Sequence, residues 1–168
     1  MRQRPRSRTL DTVTGKHSAG ILLFRGTSEP EPEVLLGHMG GPFWAGKDAR
    51  AWSLPKGEYT ADEEPEAAAR REFAEELGLP VPPGDLLPLG SVRQTGGKVV
   101  TAWALAGDLD PDRVTPGTFE MEWPRGSGRI QRFPEIDRVA WWPLAAAHER
   151  IVAGQRTFLD RLLTALTD

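Results

Sequence analysis

The sequence has no cysteine among its 168 residues, which excludes disulfide bonds and thiol chemistry. It has only three histidines, and because none belongs to a His-x-x-His or Glu-x-x-His pair, a zinc site is not predicted. No apolar run approaches the roughly 18 residues that a membrane span needs. The N-terminus also lacks the apolar segment of a secretory signal. We therefore expect a cytoplasmic protein with no membrane contact.

The chain also lacks a large excess of charge of either sign. Its net charge is -3, so the protein as a whole is not expected to bind nucleic acid through its charge. The first sixteen residues, MRQRPRSRTLDTVTGK, differ from the rest because they carry five basic side chains and one acidic one. We interpret residues 1–16 as a flexible basic tail, with a nucleic-acid or partner contact as the weaker alternative. The length then predicts one domain, residues 17–168.

Strand and helix signals follow one another along this domain. Strands are predicted over 17–25, 33–38, 86–94, 98–108, 119–124, 129–134 and 138–144, and helices over 65–77, about 144–152 and 156–166. The first helix has Pro65 in its first turn and Gly78 at its end, which are the preferred residues there. Residues 39–52 are predicted to be a loop. Hairpin-paired strands interspersed with a few helices predict a mixed α/β sandwich.

The helix over 65–77 combines an apolar stripe with an acidic face. Its apolar stripe repeats every four residues: Ala69, Phe73 and Leu77. Beside it, Glu72, Glu75 and Glu76 have the spacing i, i+3 and i+4, so their carboxylates share one face and repel one another. A solvated acidic face is one interpretation. The other is a site for a hard divalent cation such as Mg²⁺, which oxygen ligands bind and whose charge removes the repulsion.

The surrounding residues favour the second interpretation because they fit the pattern G-x5-E-x7-R-E-U-x-E-E-x-G-U, where U is bulky and apolar. The matching positions are Gly57, Glu63, Arg71, Glu72, Phe73, Glu75, Glu76, Gly78 and Leu79. A random chain of this size would match on the order of once in 10⁷ trials. In this box the chain resembles the Nudix hydrolases. The strands before the box, the hairpins after it and the terminal helix are similar to the Nudix α/β/α sandwich, with its mixed sheet and loop-helix-loop catalytic motif.

The resemblance implies a cofactor and roles for the box residues. It implies Mg²⁺ or Mn²⁺ held by the side chains of Glu72, Glu75 and Glu76, with the carbonyl of Gly57 often joining them. Arg71 would orient Glu72, and Glu63 would fix the loop onto the helix.

Many Nudix members use one further glutamate, six residues before a tryptophan on the strand that precedes the last helical region. Glu135 precedes Trp141 by six residues, so it is the best candidate for a further catalytic residue and metal ligand. Glu120 and Glu122 are rivals, and ordinary surface polarity is the alternative for all three. The general base varies within the family, which leaves Glu72, Glu76 and Glu135 as candidates.

The implied reaction is hydrolysis of a diphosphate linkage in a nucleoside diphosphate linked to a group X, by water attack on phosphorus. The segments PKG and FPE…W are similar to the branch that contains diadenosine polyphosphate and diphosphoinositol hydrolases. Nucleoside triphosphates and dinucleoside polyphosphates are therefore the expected substrates. Alternatives are a housecleaning pyrophosphatase for non-standard nucleotides, a diphosphoinositol polyphosphate, ADP-ribose or coenzyme A hydrolase, and a non-catalytic nucleotide sensor. RNA decapping is disfavoured because no basic patch with interleaved aromatics appears.

Residues outside the box would select the substrate. Lys56 comes directly before Gly57, while Arg93 and Lys98 flank the turn 95–97, so all three cations are candidates for binding phosphate. Trp44 is a candidate for stacking on a base, whereas Trp52 is better explained by core packing. The expected partner is a small nucleotide or polyphosphate, without a stable nucleic-acid partner. A homodimer is left open.

Overall fold

The computed structural model describes residues 16–28 and 30–168, which form nine β-strands and three α-helices. The strands are β1 His17–Arg25, β2 Glu33–Met39, β3 Trp52–Ser53, β4 Lys56–Tyr59, β5 Leu87–Arg93, β6 Val99–Ala106, β7 Thr118–Glu122, β8 Ile130–Pro134 and β9 Ile136–Pro143. The helices are α1 Pro65–Leu77, α2 Leu144–Arg150 and α3 Arg156–Thr167. The predicted basic tail, residues 1–16, lies outside the described residues except for Lys16.

Seven of the strands form one mixed sheet, and β7 and β8 form a separate antiparallel hairpin. Strand β1 lies at the centre of the sheet. It runs parallel to β6 along its length and pairs antiparallel with β4 at its beginning and with β2 at its end. Strand β2 continues the sheet through antiparallel pairing with β3 and β9, and β5 pairs with the other edge of β6. The central position of β1 explains why its sequence is almost continuously apolar, since both of its faces are covered.

The sheet separates two hydrophobic clusters. On one face, Ile21 and Leu23 of β1 pack with Phe73 and Leu77 of α1. On the other face, Leu22 of β1 packs in the cluster that contains the buried side chains of α2 and α3, such as Leu144, Phe158 and Leu162. The predicted mixed α/β sandwich, with its C-terminal helix, is confirmed. None of the helices in residues 16–28 and 30–168 is long and apolar enough to cross a membrane.

The first helix has the predicted bounds. It begins at Pro65 and ends at Leu77, and Gly78 adopts a left-handed conformation with φ 66°, from which its N–H donates to the carbonyl of Ala74 at 2.8 Å. Glycine reaches this conformation without steric cost, which explains the sharp stop. The apolar stripe of Ala69, Phe73 and Leu77 is fully buried, as predicted. Burial of this stripe fixes the acidic face of α1 at the edge of the sheet.

Two short strands were missed by the sequence interpretation. The predicted loop over 39–52 ends one residue early, because Trp52 begins β3, and β4 carries Lys56 and Gly57. Neither strand shows a regular alternation of apolar and polar residues, since each is defined by its pairing with a distant strand. Strand β4 pairs antiparallel with the beginning of β1, with Lys56 opposite Gly20 and Gly57 opposite Ala19. This pairing places the start of the box against the central strand.

Candidate active site

An open cleft of about 580 Å³ lies between α1, strand β4 and the beginning of the β7–β8 hairpin. Its walls are formed by Ser18, Lys56, Gly57, Glu58, Glu72, Glu75, Glu76, Lys98, Gly117, Thr118 and Glu135. All four carboxylates predicted as metal ligands therefore share this cleft, although Glu135 is about sixty positions away from the box in sequence. Such a concave, charged site suits a small, highly charged ligand.

The guanidinium of Arg71 joins the helix to the loop that precedes it. It donates to both oxygens of Glu63 at 2.7 and 2.8 Å, to Glu72 Oε2 at 2.7 Å and to Glu75 Oε1 at 3.2 Å. The hydrogen bonds to Arg71 hold the pKa of Glu63 below its usual value, and the same contacts raise the pKa of Arg71. This geometry agrees with the roles predicted for Arg71 and Glu63. The guanidinium fork of Arg71 holds one oxygen of Glu72 and leaves the other oxygen facing the cleft.

Gly57 leaves room for the carboxylate of Glu72. A Cβ atom at position 57 would overlap Glu72 Oε1, so any larger residue would push this carboxylate away. The close approach brings the backbone of β4 and the Glu72 side chain together at one point in the cleft. The side chain of Glu72 is only 14% exposed, whereas that of Glu75 is 61% exposed. The two carboxylates therefore offer a half-buried and a solvent-accessible oxygen ligand on the same helix face.

Burial dominates the electrostatics at the base of the cleft. Burial raises the pKa of Glu76 to about 8, and the nearby charges of Glu135 and Glu72 act in the same direction. Burial likewise lowers the pKa of Lys56 and raises that of Glu72. Lys56 and Glu76 attract each other, but this attraction does not offset the loss of solvation for either group. Glu76 is thus a carboxylate whose negative charge needs a further counter-charge.

The three rival glutamates occupy different places. Glu135 lines the cleft, whereas Glu120 forms an ion pair with Arg132 at 3.2 Å on the hairpin. The carboxylate of Glu122 accepts hydrogen bonds from the backbone N–H groups of Gly126 and Gly128, at 3.2 and 2.7 Å, and so closes the hairpin turn. The geometry therefore favours Glu135 as the fourth carboxylate of the site.

Of the four residues predicted to bind substrate, two line the cleft and two lie elsewhere. Lys56 and Lys98 both line the cleft. Arg93 donates to the carbonyl of Gly97 at 3.3 Å, and Trp44 packs against the hydrophobic cluster on the α2–α3 face of the sheet. Neither of these two belongs to the cleft wall described here, and their roles in substrate binding stay predictions. Trp52 is 1% exposed, in line with a core position.

Four wall residues were not predicted as site residues from the sequence: Ser18, Glu58, Gly117 and Thr118. Ser18 is a buried polar residue in the otherwise apolar strand β1, and Thr118 begins the hairpin. In the sequence, Ser18 is a single hydroxyl residue in the segment HSAGILLFR. Nothing local identifies it as a site residue, because only the pairing of β1 with β4 places it beside the box.

The donor set fits a hard divalent cation. It consists of carboxylate oxygens and a backbone carbonyl, with no sulfur, and Gly57 keeps the space beside Glu72 open. Within residues 16–28 and 30–168, no three acidic or histidine side chains already form a converged metal cluster. Glu72 and Glu75 both accept hydrogen bonds from Nη1 of Arg71, so one oxygen of each carboxylate is held by the guanidinium. Mg²⁺ needs few protein ligands, because water and phosphate supply the remainder.

Known proteins share this fold. The family model described as NUDIX domain matches residues 16–162. A C. elegans Ap4A hydrolase binary complex is similar with a TM-score of 0.64 and 20% identity, over 89% of this chain and 98% of the other. The NUDIX domain of Shewanella oneidensis NrtR complexed with ADP ribose has a TM-score of 0.60 and 21% identity, over 90% and 88% of the two chains. The M. smegmatis Nudix hydrolase RenU has a TM-score of 0.55 and 22% identity, over 91% and 87%.

A comparison with curated protein sequences found no match. The family match spans almost the whole described chain and includes the complete box, with its helix, its arginine fork and its glycine positions. The chain therefore belongs to the NUDIX family.

Proposed function

We propose that the protein hydrolyses a diphosphate linkage in nucleoside triphosphates or dinucleoside polyphosphates, with Mg²⁺ or Mn²⁺ as the cofactor. One observation carries this proposal: the cleft combines the four carboxylates Glu72, Glu75, Glu76 and Glu135 with two lysines. Carboxylates alone would repel a diphosphate, and lysines alone would only bind it. The combination suits an ion and a phosphate chain that bind side by side.

Each residue has a task in this proposal. Glu72, Glu75 and Glu76, with the carbonyl of Gly57, hold the ion, which when bound neutralises phosphate oxygens and lowers the pKa of water. Lys56 and Lys98 donate hydrogen bonds to phosphate oxygens.

A carboxylate of the cleft accepts the proton of the attacking water. The candidates for this base are Glu72, Glu76 and Glu135. Replacing each of them by glutamine in turn tests the assignment. The base variant should lose turnover while it still binds Mg²⁺, whereas a ligand variant should lose both.

The substrate class is supported by two of the similar structures. One is an Ap4A hydrolase, and another contains ADP ribose. Both ligand names describe molecules in which two groups are joined through a phosphate chain. We therefore place dinucleoside polyphosphates first and ADP-ribose among the compounds that must be compared with them.

The test is a turnover panel of nucleoside triphosphates, non-standard nucleotides, dinucleoside polyphosphates, ADP-ribose and diphosphoinositol phosphates, with Mg²⁺ or Mn²⁺. Chromatographic separation of the products detects turnover of every compound, because dinucleoside polyphosphates and ADP-ribose release nucleotides and not free phosphate or pyrophosphate. We expect metal-dependent turnover that EDTA abolishes and that Glu76→Gln lowers by about 10³-fold or more. The matched control is Glu66→Gln, because Glu66 is on the same helix with a side chain that is 52% exposed and outside the cleft. This control should retain wild-type turnover.

Two outcomes would contradict the proposal. Turnover of ADP-ribose or a diphosphoinositol phosphate alone would keep the chemistry and replace the substrate class. Tight binding without turnover of any compound would instead indicate a nucleotide sensor.

A further inference from the structure

The segment that leads to Lys56 is attached to the chain just before α3. Residues Trp52 and Ile151 form an isolated parallel β-bridge, and the N–H of Val152 donates to the carbonyl of Trp52 at 2.8 Å. On the other side, the N–H of Ile21 donates to the carbonyl of Pro55 at 3.2 Å. The short stretch before the box is therefore held between the central strand and the segment 151–155, which lies far from it in sequence.

A buried amide completes this attachment. The side chain of Gln155 is 0% exposed. Its Oε1 accepts a hydrogen bond from the backbone N–H of Leu54 at 3.1 Å, and its Nε2 donates to Ser53 Oγ at 3.0 Å. The same Nε2 also donates to Gln94 Oε1 at 3.3 Å. A glutamine amide has two N–H donors and one carbonyl acceptor, so Gln155 uses all of its polar atoms.

The bond to Gln94 reaches the second lysine of the cleft. The backbone N–H of Gln94 donates to the carbonyl of Lys98 at 2.6 Å, and the N–H of Gly97 donates to the carbonyl of Gln94 at 3.1 Å. Gln94 therefore closes the turn that ends at Lys98. Gly154 allows this contact, because a Cβ atom there would lie 2.9 Å from Cγ of Gln94.

One side chain thus joins two segments that deliver cations to the cleft. Leu54 precedes Lys56 by two residues, and Gln94 is hydrogen-bonded to Lys98. Two ammonium groups in one cleft repel each other, so the backbone must impose their separation. We propose that Gln155 is a positioning residue that fixes the spacing of Lys56 and Lys98 for a diphosphate. The inference rests on the proposed function, in which both lysines bind phosphate oxygens.

The test is a double-mutant cycle between Gln155→Leu and Lys98→Ala. The probe is inorganic pyrophosphate, and its binding to the protein with saturating Mg²⁺ is measured by calorimetry. We expect each single variant to weaken binding by about tenfold, since small misplacements of binding groups are costly. If Gln155 acts through the position of Lys98, adding Gln155→Leu to Lys98→Ala should have little further effect. The pyrophosphate affinities of the double variant and of Lys98→Ala should then differ by less than about threefold. In turnover, Gln155→Leu should raise KM and change kcat by less than about twofold.

Two further variants separate positioning from general stability. Leu162→Ala removes a fully buried side chain of α3, and it should lower the Tm without any coupling to Lys98→Ala. Gln94→Ala removes only the link to the turn, and it should weaken pyrophosphate binding by about threefold with the same coupling. This variant tests the proposal if Gln155→Leu does not fold.

The outcomes distinguish the inference from the function on which it rests. If Lys56→Ala and Lys98→Ala leave pyrophosphate binding unchanged, the lysines do not bind phosphate, and the inference is overturned together with that part of the proposed function. If both lysine variants weaken binding but the effects of Gln155→Leu and Gln94→Ala are absent or simply additive with Lys98→Ala, only the positioning role is overturned.

Discussion

Glu76 gives a pH-dependent prediction for the metal-free protein. Burial raises its pKa from 4.5 to about 8, so between these values the folded state binds more protons than the unfolded state. The free energy of unfolding is therefore not reduced by Glu76 below pH 4.5, where the carboxyl is protonated in both states. It falls as the pH rises through 8, because the buried carboxyl must then ionise. Replacing Glu76 by glutamine removes the charge and keeps the shape. The variant should consequently be more stable than the wild type in EDTA at pH 9, with little difference at pH 5.

The size of the effect follows from the shift. A rise of about 3.5 in the pKa of Glu76 corresponds to about 5 kcal/mol of unfolding free energy, since one pKa unit is worth about 1.4 kcal/mol. Water that enters the open cleft reduces this value, so we expect about 2–3 kcal/mol between pH 5 and pH 9. For a chain of this length, 1 kcal/mol moves the Tm by about 2–4 °C. The expected Tm difference at pH 9 is therefore about 4–12 °C in favour of the variant.

Thermal unfolding followed by circular dichroism, in EDTA at pH 5, 7 and 9, measures this difference. Groups that do not interact with Glu76 titrate alike in the wild type and the variant and cancel, whereas Lys56 loses the attraction of the Glu76 carboxylate in the variant, which reduces the difference. Glu66→Gln, on the exposed beginning of α1, should stay within about 0.5 kcal/mol of the wild type at every pH. Adding Mg²⁺ should reduce or reverse the difference, because the ion stabilises the protein that retains all of its carboxylates more than it stabilises the variant. A difference between Glu76→Gln and wild type that does not grow with pH would refute the argument that burial raises the pKa of Glu76.

Two further substitutions test the geometry of the box. Arg71→Lys keeps the charge but loses the fork that holds Glu63 and Glu72, so kcat/KM should fall by about 10²-fold while a weaker ion pair remains; unchanged steady-state kinetics would show that the fork does not position Glu72. Gly57→Ala introduces a Cβ atom that overlaps the Glu72 carboxylate, so Mg²⁺ affinity measured by calorimetry should fall by about tenfold or more. A Gly57→Ala variant with wild-type Mg²⁺ affinity would indicate that Glu72 does not bind the ion from this position.

Much of the fold could be predicted because its signals are local. Pro65, Gly78 and the four-residue apolar repeat define α1 within thirteen residues, and the predicted bounds are those observed. The hairpin turn at 95–97 is similarly predicted from its two glycines. Strands β3 and β4 could not be found in this way. Each is short, and each is a strand only because a distant segment supplies its hydrogen-bond partners.

The candidate site likewise contains residues that local spacing predicts and residues that only the tertiary structure brings together. The spacing of Glu72, Glu75 and Glu76 places them on one helix face whatever the tertiary structure, and the box pattern identifies the family. Only the folded chain shows that Glu135, between β8 and β9, lines the cleft while Glu120, in the middle of β7, pairs with Arg132 on the hairpin.

What the sequence alone determined is the box helix, its acidic face and the family to which the chain belongs, since local spacing carries all three. What only the tertiary structure decided is which distant groups surround that face: the proximity of Lys98, the burial that raises the pKa of Glu76, and the buried amide of Gln155. These properties depend on solvent exclusion and on contacts between segments up to about a hundred residues apart. Solvent exclusion and these contacts arise only after the sheet has brought the distant segments together.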